Sequence, residues 1–190
     1  MINIIGGKFK KTKLQVPLKF VRPTSAVKRN AIFSVLESYA LKNTYNLYKN
    51  QCFIDLFAGS GSLGLEAISR GAGFSYFFEN NVEVFKDLKK NCIKICKEKN
   101  YKIVLEDILS ANFDNIEIPI STIFIDPPYN TNPFQKILNN IKKCIKLNIN
   151  TKIVLESHKN TKMELPLCYK IINEKIFSKT KIVFLKKNKY

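Results

Sequence analysis

Tryptophan is absent from the 190 residues, and histidine occurs once, as His158. A lone histidine leaves no Cys/His set for zinc, and no Ser or Cys motif for nucleophilic catalysis accompanies it. The five cysteines form no CxxC pair and read as free intracellular thiols, with Cys92 and Cys96 four apart on one helix face. No metal is therefore expected. No apolar run approaches the ~18–20 residues of a membrane span, so no membrane partner is expected. The start, Met1 to Gly7, lacks the charged, apolar and small-residue segments of a secretory signal, and the expected location is cytoplasmic. Acids are missing from whole stretches. None precedes Glu37, while residues 1–36 carry eight basic residues, and residues 175–190 carry six lysines and no acid.

What is present is ordinary for one soluble domain: 45% hydrophobic and 25% charged residues. The balance of charge is not ordinary. Lys plus Arg total 32 against 15 acids, a net charge of +17, which points to a polyanionic partner with nucleic acid first. Arg22, Arg29 and Arg70 are the only arginines, and 20 Asn and 24 Ile accompany the lysines. That is also the mark of compositional bias, so the placement of the charge says more than its total.

Residues 1–24 read as a basic hairpin arm turning at Gly6-Gly7, and residues 25–190 as the main domain. Pro23 holds Arg22 extended, and Thr24 or Ser25 caps a helix to about Tyr39 with Val27, Ala31, Ile32, Val35 and Leu36 on its apolar face. Strands and helices then alternate: strands at 52–57, 74–78, 103–105, 121–125 and 152–156, helices at 62–70, 81–97 and 134–145. In the helix at 81–97 the apolar stripe is Val82, Phe85, Leu88, Cys92 and Ile95. Residues 169–177 and 181–185 read as an antiparallel pair. The expectation is an α/β fold, a parallel sheet with helices on both faces and a mixed edge.

Two motifs carry chemistry. Asp55-Leu56-Phe57-Ala58-Gly59-Ser60-Gly61-Ser62-Leu63-Gly64 stands where a strand ends and a helix begins. Gly59 and Gly61 permit a tight turn and close backbone approach to a ligand, and Gly64 lets the helix lie close to the sheet. The spacing fits the dinucleotide fingerprint, but Asp55 at the loop's entrance suits a cationic ligand, an ammonium or a sulfonium, better than a pyrophosphate. Glu79, ending the next strand, is placed for ribose hydroxyls. Asp126-Pro127-Pro128-Tyr129 follows a strand at its carboxyl end. The prolines stiffen the turn and remove donors, leaving the Asp126 carboxylate and the Pro127 carbonyl as acceptors beside the flat Tyr129 ring. An exocyclic amine on a nucleobase needs two such acceptors and a stacking surface.

The motifs in this order resemble class I (Rossmann-like) methyltransferases that use S-adenosyl-L-methionine on exocyclic amines. With Ile4-Ile5-Gly6-Gly7-Lys8-Phe9-Lys10 and Arg22-Pro23-Thr24 ahead of them, they resemble the RsmD family over nearly the whole chain. The resemblance implies a mostly parallel seven-stranded sheet with an antiparallel strand near the carboxyl terminus. It implies methylation of the N2 amine of one guanine in 16S ribosomal RNA (guanine 966 in the family's RNA numbering) within a small-subunit or assembly particle, by a monomer. It implies that Asp55, Phe57, Gly59, Ser60 and Gly61 surround the methionine part of the cofactor, that Glu79 takes the ribose with Asn80 beside it, and that Asp107-Ile108 flank the adenine. Asp126, Pro127, Pro128 and Tyr129 would take the target base. The sequence departs from the family after Arg-Pro-Thr: Ser25-Ala26-Val27-Lys28-Arg29-Asn30 keeps Arg29 but lacks the family's acids, which bears on that helix's contacts and not on the reaction.

Lys8, Lys10, Lys11 and Lys13, clustered with Phe9, are expected to meet RNA phosphates, with Arg22 and Arg29 behind them. Lys89-Lys90 and Lys142-Lys143 read as solvated helix faces, His158 as a surface residue, and Glu66 as the partner of a nearby base. Two other functions remain open: a DNA adenine-N6 methyltransferase, for which the chain has little room for target recognition, and an RNA-binding assembly factor without catalysis. A dehydrogenase lacks a catalytic set here.

Overall fold

The computed structural model describes residues 2–16, 24–111, 113, 116–128, 132–142, 144 and 147–188. Seven strands form the main sheet: β3 (Cys52–Asp55), β4 (Phe74–Glu79), β5 (Tyr101–Leu105), β6 (Ile120–Ile125), β7 (Lys152–His158), β8 (Tyr169–Phe177) and β9 (Thr180–Lys187). Their order is β5-β4-β3-β6-β7-β9-β8. The first five run parallel, and β9 enters antiparallel to β7, with β8 antiparallel to β9. The central strands β3 and β6 are buried along their whole length because both faces are covered.

The alternation of the pleat sorts the side chains. Phe53, Phe77, Phe124, Val154 and Phe184 point to one face, with Ile54, Phe78, Ile123, Ile125, Leu155 and Val183 on the other. The phenylalanine face is covered by α1 (Ala26–Lys42), α2 (Ser62–Ser69) and α3 (Val82–Ile95), and the other by α4 (Phe134–Ile141). Phe124 packs on Phe33 and Phe53 at centroid separations of 5.9 and 6.1 Å. Among the described residues, no helix is long and apolar enough to cross a membrane.

Two helix faces differ from the sequence expectation. In α1 the buried residues are Arg29, Ile32, Phe33, Leu36 and Ala40, while Val27 is 68% exposed. In α3 they are Val84, Leu88, Asn91, Cys92 and Ile95, while Val82 is 55% exposed. Both valines stand in a first turn, where the helix has only just begun to lie along its neighbours.

The arm is a short hairpin, β1 (Ile2–Asn3) paired antiparallel with β2 (Lys13–Leu14). It is fastened along its length to the phenylalanine side. Ile4 and Leu14 are buried in that core. Glu66 of α2, fully buried, accepts the Ile5 N–H at 2.8 Å and the Arg70 Nε–H at 2.9 Å. Ser69 accepts the Phe9 N–H at 2.9 Å and donates to the Gly6 carbonyl at 2.6 Å. Phe9 packs half-buried against the core and is no free stacking ring.

Candidate active site

The carboxyl ends of β3, β4, β6 and β7 bring together Asp55, Glu79, Asp126 and Glu156 along the edge where open α/β sheets bind ligands. Asp55 is 2% exposed. Its Oδ2 accepts the Gly64 N–H at 3.3 Å, so the carboxylate also serves the positive end of α2. Its Oδ1 is buried with no hydrogen-bond partner among the described residues. Burial, reinforced by the charge of Glu79 and opposed by the amides of Gly64 and, more weakly, Phe57, pushes the Asp55 carboxyl up to about 7.

The glycine loop folds tightly above it. Gly61 donates to the Ala58 carbonyl at 2.7 Å and stands at φ 78°, in the left-handed region, as the cap of α2. Gly64 permits the close approach of α2 to β4: a Cβ there would lie 2.4 Å from the Phe77 ring. Glu79 is already engaged. Its Oε2 accepts the Gly59 N–H at 3.0 Å, and its Oε1 accepts those of Asn80 and Asn81 at 3.0 and 2.9 Å. A carboxylate has about four acceptor sites, so the three amides hold it rigid and leave capacity for a hydroxyl. Ser60 is buried, Phe57 half-buried and Asn80 exposed. Beside β4, Glu106 donates its N–H to the Glu79 carbonyl at 3.1 Å, which brings Asp107, exposed, and Ile108, buried, to the same edge.

Asp126, half-buried at the end of β6, accepts the Thr24 hydroxyl on Oδ2 at 2.9 Å. Lys28 of α1 forms an ion pair with Glu156 next to it. Burial and then the Glu156 charge push the Asp126 carboxyl up to about 8, against the Thr24 hydrogen bond and the Lys28 charge. Pro127 is buried and Pro128 exposed. Tyr129 and Arg22 lie outside the described residues.

The expected RNA-binding residues divide. Lys8, Lys10, Lys11 and Lys13 are exposed. The tip of the arm sits at the far end of α2, where Lys8 donates its N–H to the Ser69 carbonyl at 2.7 Å. An eight-residue helix is about 12 Å long, which puts the tip about that far from the glycine loop. Arg29 corrects the expectation: it is 1% exposed, and its guanidinium donates to the carbonyls of Thr24 and Asn3, each at 2.6 Å. One guanidinium has donors enough to serve both carbonyls, and the side chain is withdrawn from solvent. Glu66 takes the structural role read for it.

Sequence reasoning gave no role to Lys28, Glu156 or Asn91, and took Thr24 as a helix cap and as part of the Arg22-Pro23-Thr24 motif, with no role at the site. Asn91 is fully buried; it binds the Gln15 N–H and C=O at 2.8 and 2.9 Å and the Ser60 carbonyl at 2.9 Å, joining the end of the arm to the glycine loop. An Asn inside the apolar stripe of an amphipathic helix was the available signal. Among the described residues no cluster of His, Cys, Asp or Glu could hold a metal.

The model of the family described as Conserved hypothetical protein 95 matches residues 2–186. The chain is 34% identical over 176 residues to a protein of Buchnera aphidicola named ribosomal RNA small subunit methyltransferase D, covering 92% of this chain and 87% of that one. Its fold matches a putative methyltransferase, yhhF, from Escherichia coli with a TM-score of 0.81 and 27% identity, covering 98% and 97% of the two chains. A putative methylase from Haemophilus influenzae matches with a TM-score of 0.79 and 25% identity, over 99% of each chain.

Proposed function

This chain belongs to the Conserved hypothetical protein 95 family, the RsmD family, and from that premise we propose that it methylates the exocyclic N2 amine of a guanine in 16S ribosomal RNA, using S-adenosyl-L-methionine. The position meant is the family's guanine 966, and the substrate is the RNA within a small-subunit or assembly particle in the cytoplasm, met by a monomer. The observation that carries the reading is the adjacency of two acceptor sites on neighbouring strands. The unpaired Oδ1 of Asp55 ends β3, and the Asp126-Pro127 acceptor pair ends β6.

The residues fit the cofactor. A buried carboxylate oxygen without a donor suits an ammonium, the rigid Glu79 carboxylate suits ribose hydroxyls, and Gly59 and Gly61 leave room for close approach. Asp107 and Ile108 would flank the adenine. When bound, the cofactor supplies an electrophilic methyl on a sulfonium, and transfer to nitrogen breaks the carbon–sulfur bond with its electron pair staying on sulfur.

The protein's own work is placement. The Asp126 carboxylate and the Pro127 carbonyl accept the two hydrogens of the amine and pull a delocalised nitrogen towards tetrahedral geometry. They also oppose the positive charge that grows on nitrogen. Afterwards the extra proton leaves the nitrogen to Asp126 or to water. The exposed lysines of the arm hold phosphates away from the reacting centre.

The test is incubation with labelled S-adenosyl-L-methionine and, separately, small-subunit particles, naked ribosomal RNA and DNA, with product nucleosides identified by mass. N2-methylguanine in the RNA is expected. Methyladenine in DNA, or no methylated nucleoside in any substrate, overturns the reading.

A further inference from the structure

Two adjacent hydroxyls compete for the start of α1, and they part company. Ser25 takes the cap, its Oγ accepting the Lys28 N–H at 3.3 Å. Thr24, 3% exposed, donates its hydroxyl instead to Asp126 Oδ2 at 2.9 Å, across 102 residues of chain. The backbone of Thr24 is fixed by the next turn of the helix, where Arg29 donates to its carbonyl at 2.6 Å. Arg29 is anchored in turn on Asn3 of β1. The hydroxyl is therefore mounted on a rigid support made by the helix cap, a buried guanidinium and the base of the arm.

We propose that Thr24 is a positioning residue for methyl transfer, whose hydroxyl takes one oxygen of Asp126 and so presents the other to the target amine. This rests on reading Asp126 as the acceptor of that amine. The last side-chain torsion of an aspartate is broad and nearly two-fold, so an unheld carboxylate at a strand end spreads over orientations. A donor on one oxygen selects one orientation. It also favours the ionised form, the form that accepts from the amine.

The second effect matters because the surroundings push the other way. Glu156 on β7 and Asp55 on β3 face Asp126 with like charge, and burial adds to them; Lys28 on α1 and the Thr24 hydroxyl oppose. Lys28 is shared with Glu156, to which it is paired. Without the hydroxyl, Asp126 would keep burial and two carboxylates against that one shared ammonium.

The experiment compares Thr24→Val, which keeps the shape and loses the hydroxyl, with Thr24→Ser, which keeps the hydroxyl, and Ser25→Ala, which removes the neighbouring cap. Single-turnover methyl transfer is followed against pH at saturating RNA and cofactor. Thr24→Val is expected to lower the rate at least about tenfold, the effect of one hydrogen bond to a charged group. Its acid limb moves to higher pH, because the lost bond had favoured the carboxylate. Thr24→Ser stays within about threefold of the wild type, and Ser25→Ala lowers thermal stability without moving the pH profile. A folded Thr24→Val enzyme with the wild-type rate and profile, or a Thr24→Ser enzyme as slow as Thr24→Val, overturns the proposal. Carboxyl 13C titration of Asp126 needs no substrate: an upward shift in Thr24→Val supports the proposal and an unmoved one overturns it. A wild type that methylates no RNA sinks the functional reading instead, and the titration then decides whether Thr24 sets the ionisation of Asp126.

Discussion

Cofactor binding is expected to release protons, and the amount can be worked from Asp55. Burial places its carboxyl at about 7, so at pH 7 the empty site carries about half a proton there. Oδ1 has no donor. A cation arriving at about 4 Å from it, at an effective dielectric constant of about 20, interacts by about 4 kcal/mol. That is about three pKa units, which takes Asp55 to about 4 and ionises it fully at pH 7. Binding at pH 7 then releases about half a proton from this residue, rising towards one at pH 6 and fading above pH 8. Affinity weakens about tenfold for each unit of pH below 7. The assay is calorimetric titration with S-adenosyl-L-methionine in buffers of different ionisation enthalpy, on wild type and Asp55→Asn, because the difference cancels protons from Asp126 and from the ligand. Equal proton counts in the two proteins at pH 7, or net uptake by the wild type relative to the variant, would refute the argument.

Other outcomes follow from the same edge of the sheet. Glu79→Ala should weaken the cofactor by about 1–3 kcal/mol, read by calorimetry, since it removes the ribose acceptor and also frees the Gly59 amide. Asp126→Ala should cut single-turnover methyl transfer by about 10²–10³ while leaving cofactor affinity nearly intact. Neutralising Lys8, Lys10, Lys11 and Lys13 together should lower the log–log salt slope of RNA binding by about 0.7–0.9 per lost phosphate contact, with no change in cofactor affinity. The stability of the empty protein should fall as pH rises from about 4 to about 8. Asp55 and Asp126 hold protons in the native state that the unfolded chain has already given up, so the native state loses ground until both ionise. Urea denaturation across that range checks the sign, and stability that climbs with pH contradicts it.

The sheet was legible because its physics is local. Short apolar runs at 52–54, 123–125 and 153–155, spaced between helical segments, mark strands covered on both faces, and that pattern needs no knowledge of partners. The glycine loop was legible because Gly61 and Gly64 are demanded by a turn and by a close approach. Helix faces were legible to within a turn. Val27 and Val82 misled because hydrophobicity in a first turn carries no information about whether the packing layer has begun there. The polar joints between distant segments were not read, although Glu66 and its local partner were. Nothing in residues 24–29 indicates that Thr24 meets Asp126, or that Lys28 meets Glu156, because each pair is separated by more than 100 positions.

Arginine makes the same point and changes the account of the charge. Arg29 and Arg70, the two among the described residues, both work inside the molecule. Arg29 serves two carbonyls, and Arg70 bridges Glu66 and Glu37 at 2.9 and 2.8 Å over the Phe33 ring. Lys152 is buried beneath Tyr39 and Tyr45, and Lys28 is paired with Glu156. The cations left on the described arm surface are therefore lysines. An ammonium meets phosphate as a point charge, without the bidentate fork that fixes a guanidinium in register. If the arm meets RNA as proposed, it would hold it by charge and leave orientation to the site itself. On the proposed reading, selection of the target nucleotide then falls to the acceptors at the end of β6 and to the elements that aim them.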